Sequence, residues 1–223
     1  MASHLDLEEQ EQLDELKHFW KRWGDLITWG LIAVLGGYAA WMGWQSYTSK
    51  QAMQSAALYD TVERAAMGSD MALLDRSVTD IKDKFASTTY AQQAALLAAR
   101  VYQDKNRKAD AKVQLTWVAE KASDEGYQAL TRLRLASLLI DDKAYDEARK
   151  QLSAKTPDAF APLMADRLGD LAMLQSQPAE AVQHYKNAWK GFEPNAEYRR
   201  LVAVKLAALG AAPEEAPVVE SKK

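Results

Sequence analysis

From Leu26 to Ser49 the chain runs for 24 residues without one charged side chain, which is about 36 Å of helix at the usual rise. A hydrocarbon core is roughly 30 Å thick, so the stretch is long enough to span one with some tilt. Both ends carry the amphipathic rings expected at the headgroup level, with Trp20, Trp23 and Trp29 before and Trp41, Trp44 and Tyr47 after. A spanning helix must satisfy its backbone internally, and this requirement fixes the segment as an α-helix.

The stretch reads as a retained anchor. Leu26–Leu35 could serve as the apolar part of a cleaved signal, with small residues at Gly37–Ala39 near a cleavage position. The preceding segment argues against that, because residues 1–25 hold seven acids against three bases, unlike a short basic leader. The chain contains no cysteine, which excludes a lipoprotein signal and any disulfide. Lys17, Lys21 and Arg22 precede the span and only Lys50 closely follows it, so an amino-terminal segment in the cytoplasm and a carboxyl-terminal domain across the membrane are expected. The expected division is a tail over 1–24, the membrane helix over 25–48, a domain over 49–209 and a disordered end over 210–223.

Two features near the membrane carry further expectations. Ala33, Gly36, Gly37, Ala40 and Gly43 recur at spacings of three and four, placing small residues along one side where another spanning helix could approach. In the tail, Leu13, Leu16, Trp20 and Trp23 form an apolar stripe, acids come early and Lys21 and Arg22 late. That pattern predicts an amphipathic helix on the inner surface, ending at Gly24, with a solvated acidic face.

Beyond the span, alanine and leucine dominate, β-branched runs are missing and glycine and proline are sparse, so the domain is expected to be all-helical. Residues 51–223 hold 24 Lys or Arg and 24 Asp or Glu, which gives no electrostatic reason to expect nucleic acid. The spacing predicts a helix to Ala66, a break at Met67–Asp70 with Ser69 or Asp70 as cap, and a second helix ending near Phe85. Paired helices over 89–105 with 108–121, 125–141 with 144–153 and 159–176 with 178–190 follow, then a last helix over 195–209.

The pairs are related. Leu168, Gly169, Ala181, Tyr185, Ala188 and Pro194 stand close to the tetratricopeptide-repeat spacing of small residues, aromatic and terminal proline. Leu135, Ala136, Ala148 and Leu152 match them in the preceding unit, and Ala98, Ala99, Tyr102, Ala111 and Leu115 in the one before. The equivalent alanines at 111, 148 and 181 are 37 and then 33 residues apart, which points to an insertion around Ser123–Gln128. A generic antiparallel helix bundle is the alternative.

Repeats of this kind work by surface, each pair leaving one wall for a shared concave face. First-helix residues expected on that wall are Leu96, Leu130, Leu133, Ile140, Leu163, Met173 and Leu174, an apolar set in which Arg100 is nearly alone. They suit a groove for apolar segments or a partner helix. Alternatively they are ordinary core, covered by the last helix through Tyr198, Leu201, Val202, Leu206 and Leu209. Arg132–Leu135 and Tyr198–Arg200 read as solvated helix faces. His4, His18 and His184 assemble neither a metal site nor a catalytic group, and there is no phosphate loop or nucleophile motif. No cofactor and no enzymatic activity are expected.

The acidic tail with Leu13–Ile27, the glycine-bearing span ending at Gly43–Tyr47, the following Gln51–Val62 and the degenerate repeats together resemble the YfgM family of bacterial inner-membrane proteins. The resemblance covers nearly the whole chain. It implies an ancillary subunit of the SecYEG translocon, single-pass in the inner membrane. Its periplasmic domain would work beside the chaperone PpiD on unfolded periplasmic or outer-membrane clients. An assembly scaffold for another envelope complex would share the same anchor and repeats.

Overall fold

The computed structural model describes residues 7–213, with side chains described from residue 12. The described residues are helical, without strands: α1 (Leu7–Met67), α2 (Met71–Phe85), α3 (Thr89–Asp104), α4 (Lys108–Lys121), α5 (Glu125–Asp141), α6 (Tyr145–Leu152), α7 (Ala161–Leu174), α8 (Pro178–Gly191) and α9 (Glu197–Ala208). A 3₁₀ turn at Asp158–Phe160 leads into α7. The chain divides between Met53 and Gln54 into two units.

The described residues of the first unit, from Leu7 on, are all helix. The tail was expected to form a separate helix ending at Gly24, but α1 passes through Gly24 without a break. One glycine weakens a helix interior by only about 1 kcal/mol, which strong helix formers on both sides outweigh. The Trp20 ring lies against the open side of Gly24, and the Thr28 hydroxyl donates to the Gly24 carbonyl at 2.7 Å. Within Gln12–Met67 the helix is long and apolar enough to cross a membrane, and none of its apolar window is buried by protein.

The second unit is an array of hairpins whose repeat shows most clearly in the backbone. Ser69, Asn106, Lys143, Ser176 and Gly210 all adopt left-handed φ, from 55° to 69°. At each, two hydrogen bonds close the helix end in a Schellman motif. Around Asn106 these run from the Arg107 N–H to the Tyr102 carbonyl at 2.7 Å and from the Asn106 N–H to the Gln103 carbonyl at 2.9 Å. The same pair recurs around Lys143, Ser176 and Gly210. The five turns lie 37, 37, 33 and 34 residues apart. Among the described residues there are thus four hairpins, one more than the residue pattern suggests, because the end of α1 packs on α2, whose N-cap is Asp70.

The register set by these turns explains the small residues. Five positions after the turn stand Leu74, Ala111, Ala148 and Ala181, each fully buried, where two helix backbones meet. The corresponding residue after Gly210 is Glu215, outside the described residues, as is the rest of the expected disordered end beyond Pro213. Ser123–Gln128 is no inserted loop. Asp124 caps α5 by accepting from the Tyr127 N–H at 2.8 Å, so these residues are a short connection and the first turn of α5. The longer interval is helix, with 14 residues in α4 against 8 in α6.

Burial follows the array. One cluster joins Val62 and Ala65 of α1 to Leu74, Val78 and Ile81 of α2 and the alanine face of α3. A second joins α3 to α7 through Leu115, Leu135, Leu139, Leu152 and Leu171, and a third seats Val202 and Leu206 of α9 on Ala172, Ala181, Tyr185 and Ala188. Polar contacts pin neighbouring units: Arg149 donates to Glu180 at 2.6 Å and Gln175 at 2.7 Å. His184 sits 3.4 Å from the same Glu180.

Candidate functional site: the inner wall of the repeat array

Because α3, α5 and α7 occupy equivalent places, side chains at one register line up across them. Leu96 and Leu133 each stand ten residues before their turn, and Arg134 and Arg167 nine before theirs. Three adjoining hollows follow from this. Leu96, Ala99, Arg100, Gln103, Leu115 and Arg134 line the first. Gln103, Lys108, Arg134, Ser137, Leu138 and Asp141 line the second, and Leu133, Arg134, Ser137, Leu163, Arg167 and Tyr198 the third. Arg134 borders all three.

Of the seven residues expected on the wall, the structure brings Leu96, Leu133 and Leu163 to these hollows. Leu96 is buried with its back to the second cluster, and Leu133 and Ile140 are partly buried against that cluster. Leu130 is partly buried on α5. Met173 and Leu174 are exposed at the end of α7, at 39% and 55%. The last helix does not roof them all, since Val202 and Leu206 turn to the third cluster while Leu201 remains 47% exposed.

Two readings of the charged runs need correction. Arg132 is no solvated residue: it reaches back to the Ala119 carbonyl at 3.1 Å and to Gln151 at 3.2 Å, tying α5 to α4 and α6. Arg199 lies 3.9 Å over the Trp189 ring and donates to the Trp189 carbonyl at 3.1 Å. Tyr198 is drawn inward as well. Only Arg134 and Arg200 of the two runs are exposed. Guanidinium groups satisfy several acceptors while their stems cover apolar surface, so adjacent arginines on one helix have opposite fates.

The far end of the wall is locked. The Tyr198 hydroxyl donates at 2.8 Å to Asp166, a carboxylate with no exposure. The Lys205 ammonium reaches both Asp166 oxygens at 2.8 and 3.0 Å and Asp170 at 2.7 Å, and Tyr185 donates to Asp170 at 2.8 Å. Burial, and then the bond to Asp166, push the Tyr198 hydroxyl up to about 12, so it remains a donor at neutral pH. This network fixes α9 against α7 and holds Tyr198 at the edge of the third hollow.

Arg134 and Arg167 were missing from the sequence-derived wall. The signal available was the register itself, since the two are 33 residues apart, as are the turns that follow them. Leu135→Ala, at a buried position, should destabilise the domain by roughly 2 to 5 kcal/mol. Leu133→Ser, facing the hollow, should lose less than half of that. Urea unfolding of the two variants measures the difference.

On the apolar part of α1, Ala33, Gly36, Gly37, Ala40 and Gly43 all lie exposed, and a methyl group added at Gly36, Gly37 or Gly43 would meet nothing within 4 Å. Among the described residues no group of three potential metal ligands comes together.

Repeated helical hairpins with small residues at their crossings and a continuous inner wall define the class of tetratricopeptide repeat-like interaction domains. The sequence profile of the tetratricopeptide repeat-like domain matches residues 17–211. An ancillary SecYEG translocon subunit of Neisseria gonorrhoeae is 31% identical over 94% of this chain and its own whole length. Proteins of the same name from Escherichia coli and Haemophilus influenzae are 26% and 24% identical, each over 82% of this chain and 85% and 89% of their own. The chain belongs to this family of tetratricopeptide repeat-like, ancillary SecYEG translocon subunits.

Proposed function

We propose that the chain is a single-pass inner-membrane protein that serves as an ancillary, non-enzymatic subunit of the SecYEG translocon. The carrying observation is the match to the gonococcal subunit, over 94% of this chain and the whole of that protein. In this reading residues 1–24 lie in the cytoplasm, 25–48 cross the membrane and 49–209 are periplasmic, an orientation supported by Lys17, Lys21 and Arg22 ahead of the span. The small face at Ala33, Gly36, Gly37, Ala40 and Gly43 meets a spanning helix of the translocon, since small residues let backbones approach. The inner wall, with Leu96, Leu130, Leu133, Ile140, Leu163, Met173 and Leu174, takes up segments of protein partners. These are a PpiD-like chaperone and the newly translocated, unfolded clients it handles.

Protease added to spheroplasts should remove the carboxyl-terminal domain and spare the tail, as read by antibodies to each end. Digestion of the tail alone, or a mature amino terminus near Tyr38, would overturn the topology. A photoreactive amino acid at Leu163 should crosslink to translocon components, a chaperone or a translocating precursor. Crosslinks to unrelated envelope proteins alone would favour a scaffold elsewhere.

A further inference from the structure

We infer that the inner wall selects partner segments in which acidic side chains alternate with apolar ones. This rests on the reading that the wall is the partner surface, and it names the chemistry of the partner. Charges across residues 51–223 balance, so the net charge of that part of the chain favours neither sign. The wall is different. Its three hollows are lined by Arg100, Lys108, Arg134 and Arg167 against Asp141 alone among acids.

The arginines also differ in how they are held. Arg107, Arg132, Arg149 and Arg199 all donate to protein acceptors and act as ties between or within helices. Arg167 pairs with Asp170 at 3.3 Å, and that carboxylate is already shared with Lys205 and Tyr185. Lys108 has only a 3.7 Å contact to Asp142. Arg100 and Arg134 are exposed and have neither a hydrogen-bond nor an ion-pair partner among the described residues. Two open guanidinium groups thus stand beside an apolar floor of Leu96, Ala99, Leu133 and Leu163.

A guanidinium presents a planar fork that matches a carboxylate, and apolar surroundings that exclude water strengthen the pair. Apolar side chains of the same segment cover the leucines. Asp141 lies beside Lys108 at the turn end of α5 and repels acids there, which directs the acidic residues towards Arg100 and Arg134. A basic or uncharged apolar segment would cover the floor and leave both guanidinium groups unpaired beside it.

The test uses the full chain in detergent micelles and two fluorescent 14-residue peptides with the same leucine spacing, one with glutamate and one with lysine at the polar positions. The glutamate peptide should bind at least tenfold more tightly, and 0.5 M salt should erode that advantage. Arg134→Glu should weaken the glutamate peptide at least tenfold. Arg134→Gln and Arg100→Gln, which add no new repulsion to the fold, should each weaken it severalfold at an unchanged melting temperature. Equal binding of the two peptides, or indifference to both glutamine variants, overturns the inference. So does binding that appears only when the chain stops after Pro213, which would give the wall to residues 214–223. A dimer that dissolves in Arg134→Glu overturns it likewise, assigning the wall to a second copy. Crosslinks from Leu163 to translocon partners that persist without any glutamate preference would sink the acidic chemistry alone. Their absence would sink the wall as the partner surface.

Discussion

Lys205→Met should destabilise the repeat domain by roughly 3 to 5 kcal/mol, the range for breaking a buried ion pair by removing one partner. Asp166 has no solvent exposure, and Lys205 supplies two of the three hydrogen bonds it receives from side chains. Without the ammonium group, Asp166 would keep only the Tyr198 hydroxyl as a side-chain donor, and its neighbour Asp170 would keep Tyr185 and a 3.3 Å contact to Arg167. The loss corresponds to a fall in melting temperature on the order of 10 °C. The double variant Asp166→Asn/Lys205→Met should recover roughly half of it, because the uncompensated charge leaves with the cation. Differential scanning calorimetry of the parent and the two variants decides the matter. A Lys205→Met protein that melts within 2 °C of the parent, about 1 kcal/mol or less, would show that the network contributes nothing.

Gly169→Ala should be nearly as damaging, at roughly 2 to 4 kcal/mol, though it adds a single methyl group. A Cβ built there lies 2.5 Å from the Tyr185 ring, and that ring is buried at the crossing of α7 and α8. Moving the ring strains or breaks the Tyr185 bond to Asp170. Gly36→Ala is the comparison, since the same methyl on α1 meets nothing within 4 Å and improves helix propensity by about 1 kcal/mol. Urea unfolding should show a lowered midpoint for Gly169→Ala with an unchanged slope, the mark of lost stability in an otherwise similar fold. A midpoint equal to the parent's would mean that α7 and α8 separate at little expense.

The helices were legible because their signals are local. Asp70, one of the two caps that residue type and place before an apolar-periodic run offered, caps α2 in the structure. The small residues Ala98, Ala99, Ala111, Ala136, Ala148, Gly169 and Ala181 read as close crossings, and the structure buries every one. The hairpin formed by α1 and α2 was missed because its crossing uses Val62 and Leu74 where later units use small residues. Its repeat lies in backbone geometry, a left-handed Ser69 matched by Asn106, Lys143 and Ser176, and a position that varies among serine, asparagine and lysine does not announce it.

The sequence by itself determined a helix long and apolar enough to cross a membrane, three of the four described hairpins and the apolar residues of their first helices. An uncharged run longer than a bilayer, and small residues at repeat spacing, have few other solutions. The tertiary structure alone decided which arginines are structural and which are open. Arg132 and Arg134 are two residues apart on one helix, and helical geometry turns one into the acceptors of α4 and α6 and the other onto the wall. That outcome depends on where neighbouring helices place their carbonyls and carboxylates. Contacts between residues as distant as Asp166 and Lys205 arise only once the array has stacked, since no local pattern links positions 39 residues apart.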